Sequence, residues 1–123
     1  MFRGINAINM DVKGRFAVPM RYRDALAVNS ACTLTIDTED PCLLLYPTRQ
    51  WQVIENNLQQ LPSFNPTTRR IQRLLIGHAT DVELDNNGRL LVPGLLREHA
   101  KLNKRIVLIG QVNKFEVWDE ILW

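Results

Sequence analysis

The sequence predicts an α+β fold, mostly β, made from two copies of one small unit. Three observations carry this. Asp11, Gly14, Arg15, Val18, Pro19 and Arg23 recur as Asp85, Gly88, Arg89, Val92, Pro93 and Arg97, all 74 positions later, and self-similarity in one register marks an internal repeat. Apolar and polar residues alternate on both sides of each recurrence, the period of a half-buried strand. Stripes of helical period are confined to short segments after each recurrent proline and to the stretch joining the copies.

In the first copy Ile8 and Met10 alternate with polar neighbours, a glycine-containing turn follows, and Phe16 and Val18 resume the alternation. Val82 and Leu84, the turn Asp85–Arg89, then Leu90 and Val92 repeat that plan. Pro19 and Pro93 suit the first position of a helix, where no amide donor is needed, so helices are predicted over Met20–Ala27 and Gly94–Ala100. Further strands are expected over Cys32–Ile36 with Leu43–Tyr46, and over Ile106–Ile109 with Phe115–Trp118. Their hairpin turns fall at Asp37–Pro41 and Gly110–Lys114. Leu34 matches Leu108 at the same offset, while Tyr46 and Trp51 meet Trp118 and Trp123 at an offset of 72, so the second copy has lost two residues in between.

Between the copies, Thr48 is placed as the cap of a helix whose Trp51, Ile54, Leu58 and Leu61 form one apolar stripe. Pro62 and Pro66 break it. Thr67 is placed as the cap of a second helix, carrying Ile71, Leu74 and Leu75 until Gly77 stops it. The organisation is therefore a first copy over 1–47, a helical connection over 48–76 and a second copy over 77–123. By the repeat, Trp118–Trp123 should open a helix equivalent to the one at Thr48, and the end at Trp123 is read as cutting that C-terminal helix short.

A chain of 123 residues suffices for one domain or for two small units sharing a core, not for two separate domains. A hydrophobic fraction of 46% and a charged fraction of 23% argue against disordered and fibrous classes. The net charge of +2 and pI near 8.7 fall short of the pI above about 9 that marks a nucleic-acid-binding domain as a whole. Any basic site must be local. Cys32 and Cys42 lack metal or redox spacing and are expected to be reduced, half-buried apolar residues. No apolar run approaches the ~18 residues of a membrane span, and Met1–Met10 has no long apolar signal core, so no membrane association and a cytoplasmic location are expected.

The residues that could carry function are the two turns. Each places an aspartate four residues before an arginine across a tight bend. The aspartate can bond the amides of the bend and hold the guanidinium in one orientation, and the glycine relieves a position that needs positive φ. An oriented guanidinium donates two parallel bonds, which suits phosphates and guanine edges. As an ordinary exposed ion pair, one such turn would contribute no more than about 1 kcal/mol. Repetition of the arginine, which turn geometry does not require, favours function. Arg3, Lys13, Arg21, Arg23 and Arg97 are further basic candidates, the helix arginines being expected first on solvated faces. Arg69, Arg70 and Arg73 are expected first at the surface or a subunit contact.

The opening Phe2, Arg3 and Gly4, the Asp11–Arg15 turn running into Pro19, the stretch Pro41–Tyr46, the run Arg69–Ala79, the Asp85–Arg89 turn and Asn113–Glu120 together resemble the MraZ family over nearly the whole chain. The resemblance implies tandem AbrB-like repeats in a pseudo-two-fold, swapped-hairpin β-barrel with short helices, a fold shared with AbrB-type regulators and MazE-type antitoxins. It also implies a DNA-binding transcriptional regulator, a repressor of its own division and cell-wall operon. Such a regulator would be a ring-shaped homo-oligomer on short G-containing direct repeats of promoter DNA, nucleoid-associated in the cytoplasm. Residue by residue, the family's Asp-x-x-x-Arg motif falls on Asp11 and Arg15 and again on Asp85 and Arg89. The expected DNA-binding set is Arg3, Lys13, Gly14, Arg15, Asn87, Gly88 and Arg89, with Asp11 and Asp85 ordering the turns.

Two other classes compete. An enzyme is disfavoured, because His78 and His99 are far apart in sequence with no ligand-type residue at metal spacing. There is no nucleophile elbow, phosphate loop or dinucleotide fingerprint, and Glu39 and Asp40 fall in a turn where acids are solvated. No catalytic residue, cofactor or metal is expected. The alternative to DNA binding is a protein-binding module, antitoxin-like or an oligomeric scaffold, with Trp51, Trp118 and Trp123 as apolar contact groups. An antitoxin of that kind usually adds a disordered toxin-binding tail, a composition these residues do not contain.

Overall fold

A computed structural model describes residues 2–27 and 31–123. The elements run β1 (Phe2–Asn9), β2 (Arg15–Ala17), α1 (Met20–Ala27), β3 (Cys32–Ile36), β4 (Leu43–Pro47), α2 (Thr48–Gln59), α3 (Pro66–Leu75), β5 (Thr80–Val82), β6 (Arg89–Leu91), α4 (Gly94–Ala100), β7 (Arg105–Val112) and β8 (Phe115–Asp119). Six strands form an antiparallel sheet in the order β1-β7-β8-β4-β3-β5, and β2 pairs with β6 in a separate two-stranded ribbon.

This strand order reads the same from either edge when β1–β4 are exchanged for β5–β8. The register obeys the same exchange. Ile8 faces Ile106 as Val82 faces Cys32, while Phe16 faces Leu90 and Leu44 faces Glu116, each pair joining a residue to its own repeat equivalent. The first strand of each copy pairs with the other copy, so the copies are interleaved.

Phe16 and Leu90 are fully buried at the middle of the ribbon, above a core of Val18, Leu26, Leu34, Val92, Leu96, Leu108 and Phe115. Leu43 and Leu45 join that core, while Leu44 and Tyr46 face the opposite side of the sheet and pack with Trp51, Ile54, Leu75 and Ile76 of the connecting helices. β4 is thus covered on both faces, which explains its continuous apolar run. Trp51 is held further by its indole N–H, which donates to Glu55 at 2.6 Å.

The six-stranded sheet is open, with β1 and β5 as its edges, and Met10 makes an isolated bridge to Phe16. Several expectations are corrected. Pro93 caps α4 from outside instead of occupying its first turn. Thr48 does not cap α2; its hydroxyl is buried without a partner and Pro47 holds the cap position. Asn65 caps α3 in place of Thr67, accepting from the amides of Thr67 and Thr68 at 2.9 and 3.3 Å, and Pro66 starts that helix where it was expected to break the preceding one. β7 runs on to Val112, at φ 69°, so the second hairpin turns more tightly than Gly110–Lys114. No helix opens at Trp118; β8 continues to Asp119, whose carboxylate and carbonyl hold Ile121 and Trp123 in a single turn.

Cys32 and Cys42 are free and fully buried, not half-buried. Burial pushes the Cys32 thiol up to about 11. Burial, reinforced by Glu116, Asp37 and Asp40, raises that of Cys42 to about 12. Among the described residues no helix is long and apolar enough to cross a membrane.

Candidate nucleic-acid interface

The turns before β2 and β6 are near copies of one another. Asp11 Oδ1 accepts from the amides of Lys13 at 3.0 Å and Arg15 at 2.9 Å, and its Oδ2 accepts from Arg15 Nε at 2.8 Å. Asp85 accepts from the amides of Asn87 at 2.8 Å and Arg89 at 2.9 Å, and from Arg89 Nε at 3.0 Å. Backbone bonds close each bend: Asp11 N–H donates to Arg15 O at 2.8 Å, and Asp85 N–H to Arg89 O at 2.9 Å. Gly14 and Gly88 sit at φ +90° and +74°, a region closed to most side chains. The Arg15 amide bond, aided by the Arg15 side chain and the Lys13 amide, holds the Asp11 carboxyl below its ordinary range. The Arg89 amide does the same for Asp85, with the Asn87 amide and the Arg89 side chain. Both aspartates are therefore ionised at neutral pH.

Each carboxylate takes Nε of its arginine, which leaves the two terminal nitrogens for an outside acceptor. The arginine side chains are 30% and 33% exposed, enough surface to be reached. The ribbon brings them together. Arg15 faces Leu91 and Arg89 faces Ala17, so all four lie on one face, opposite buried Phe16 and Leu90. The arginines are diagonal neighbours, about 7–8 Å apart by strand geometry. Leu91, across from Arg15 and two residues along the strand from Arg89, is 52% exposed.

Lys13 and Asn87 are exposed in the turns, beside buried Gly14 and Gly88. Arg3 is not part of this cluster: it is exposed near the far end of β1, six residues or about 20 Å of strand from Asn9. Its carbonyl accepts the Tyr22 hydroxyl. Arg21 donates to Asn6 Oδ1 at 3.2 Å and lies over the Tyr22 ring at 4.7 Å. Arg69, Arg70 and Arg73 are exposed on α3. Two features escaped the sequence. Arg23 and Arg97, expected on solvated helix faces, turn their Nε groups back onto the carbonyls of Val18 and Val92 at 2.9 and 3.0 Å; their membership of the six-residue recurrence was the available signal. The His78 and His99 rings come within 6.0 Å of one another, although no group of three metal-ligand side chains gathers among the described residues.

The family profile described as MraZ protein matches residues 1–74 and again 75–123. The chain belongs to the MraZ family. The protein called Transcriptional regulator MraZ from Legionella pneumophila (strain Corby) is 66% identical over all of this chain and 82% of its own length. Those of the same name from Pseudomonas syringae pv. syringae (strain B728a) and Pseudomonas aeruginosa (strain LESB58) are 59% and 58% identical over all of this chain and 83% of theirs. Each of the two MraZ matches contains one of the Asp-x-x-x-Arg turns.

Proposed function

We propose that the chain is a sequence-specific, DNA-binding transcriptional regulator that presents the β2–β6 ribbon to the major groove. Arg15 and Arg89 read guanine edges, Lys13 draws the first turn to the phosphates, and Asp11 and Asp85 order the turns. The observation that carries this is the placement of two Nε-anchored arginines as diagonal neighbours on one exposed ribbon face. A groove about 12 Å wide admits a two-stranded ribbon, and a guanidinium fork suits the O6 and N7 acceptors of guanine. Exposed Leu91 offers an apolar contact to a thymine methyl beside them. The names of the Legionella and Pseudomonas relatives support the same function.

The two copies, 1–47 and 77–123 about a 48–76 connection, share one ribbon, so a protomer has one grip. That grip is directional, because Lys13 and Ala17 in one strand and turn correspond to Asn87 and Leu91 in the other. Directional single grips fit direct repeats held by a ring-shaped homo-oligomer, where effective concentration adds up weak contacts. Repression of its own division and cell-wall operon, in the nucleoid and without catalysis or cofactor, completes the proposal.

Retardation of upstream genomic fragments across a salt series tests it. Binding should weaken steeply with salt, and Lys13→Ala should weaken all DNA alike and lower the salt slope by roughly 1. No retardation even at low salt would favour the antitoxin-like or scaffold alternative.

A further inference from the structure

Each turn is gripped by the copy to which it does not belong. The Gly14 carbonyl accepts from the Val92 amide at 2.9 Å, and the Gly88 carbonyl from the Val18 amide at 3.0 Å. The side chains that follow those valines then close over the glycines. A Cβ built on Gly14 would stand 2.6 Å from Nε and Cζ of Arg97, and one built on Gly88 would meet Arg23 closer still. Both arginines are fixed in that pose by their Nε bonds to the carbonyls of Val92 and Val18. A planar guanidinium can lie flat on a residue without a side chain, which a lysine ammonium cannot do. Both glycines are buried under this cover.

We propose that Arg97 and Arg23 are positioning residues that clamp the two turns in trans, Arg97 ordering the turn that carries Arg15 and Arg23 ordering the turn that carries Arg89. The consequence for DNA rests on the function proposed above, but the clamp lies within the protein and is tested without DNA. An unclamped turn lets its arginine search more rotamers, lowering affinity while the number of phosphate contacts stays the same. The salt slope, which counts those contacts, is then unchanged.

The experiment is amide hydrogen exchange followed by NMR on folded Arg97→Ala, Arg97→Lys and Arg23→Ala proteins, with retardation of upstream fragments alongside. Arg97→Ala should speed exchange at Lys13, Gly14 and Arg15 by ~10-fold or more while sparing Asn87, Gly88 and Arg89, through local opening of one turn. Arg23→Ala should do the reverse. Arg97→Lys, which keeps the charge and perturbs folding least, should behave like Arg97→Ala. Unchanged exchange at residues 13–15, or an equal rise in both turns, overturns the clamp. A salt slope lowered by roughly 1 in Arg97→Ala would make Arg97 a phosphate contact and overturn its positioning role. If the wild-type protein retards no DNA, the functional proposal fails while the exchange pattern still decides the clamp.

Discussion

Replacing Gly14 by alanine tests the turn geometry on which the account is built. The new methyl group meets two obstacles. At φ +90° an L-residue pays the left-handed penalty of about 1–2 kcal/mol. The methyl would also stand 2.6 Å from the Arg97 guanidinium, so that side chain must leave and give up its 3.0 Å bond to Val92 O, a net loss of about 1 kcal/mol. Together these give a destabilisation of roughly 2–3 kcal/mol, a lowering of Tm by about 8–12 °C for a chain of this size. The assay is thermal unfolding at fixed protein concentration, with Gly94→Ala as an internal control. At Gly94 the nearest atom to a new methyl is 3.7 Å away, and φ lies outside the strained region, so alanine there should be neutral or stabilise by up to about 1 kcal/mol. Equal Tm values for the two variants would refute the strained, clamped turn.

Two further outcomes follow from ionisation. Asp11 and Asp85 have carboxyls lowered below 3.8 in the folded state, chiefly by the amides of Arg15 and Arg89. Their contribution to turn order is therefore complete above that value and lost as pH falls through the lowered one. NMR should show the Arg15 and Arg89 amides still protected near pH ~5 and released only in stronger acid; release already near pH ~5 would contradict the paired carboxylates. Cys32 and Cys42 have thiols raised to about 11 and 12 by burial, so iodoacetamide near pH ~8 should modify neither in the folded protein and both after denaturation in urea.

The sequence made the repeat, and with it most of the fold, legible through recurrence in a single register. Asp11 and Arg15 with Asp85 and Arg89 stood out because an aspartate four residues before an arginine is a local pattern. What stayed hidden was what the chain brings together from afar. Nothing near Arg15 in sequence says that it will lie diagonally across from Arg89, since that follows from Phe16 facing Leu90. Arg23 and Arg97 looked like solvated helix charges because the glycines they cover lie in the other copy. Caps were misplaced where two candidates adjoined: Asn65 outcompeted Thr67 because Pro66, lacking an amide donor, fits best just after the cap. Nor did local sequence show that β2 and β6 would leave the six-stranded sheet to pair with each other, joined to it in backbone pairing by a Met10–Phe16 bridge.

Recognition of DNA by the ribbon arginines is decided by operator binding of Arg15→Ala and Arg89→Ala proteins shown to keep the wild-type fold and assembly. Each replacement should cost on the order of 1–3 kcal/mol of operator affinity and relax preference at one base position. Wild-type affinity in both variants would contradict the account and move the search for a DNA surface to Arg69, Arg70 and Arg73 on α3.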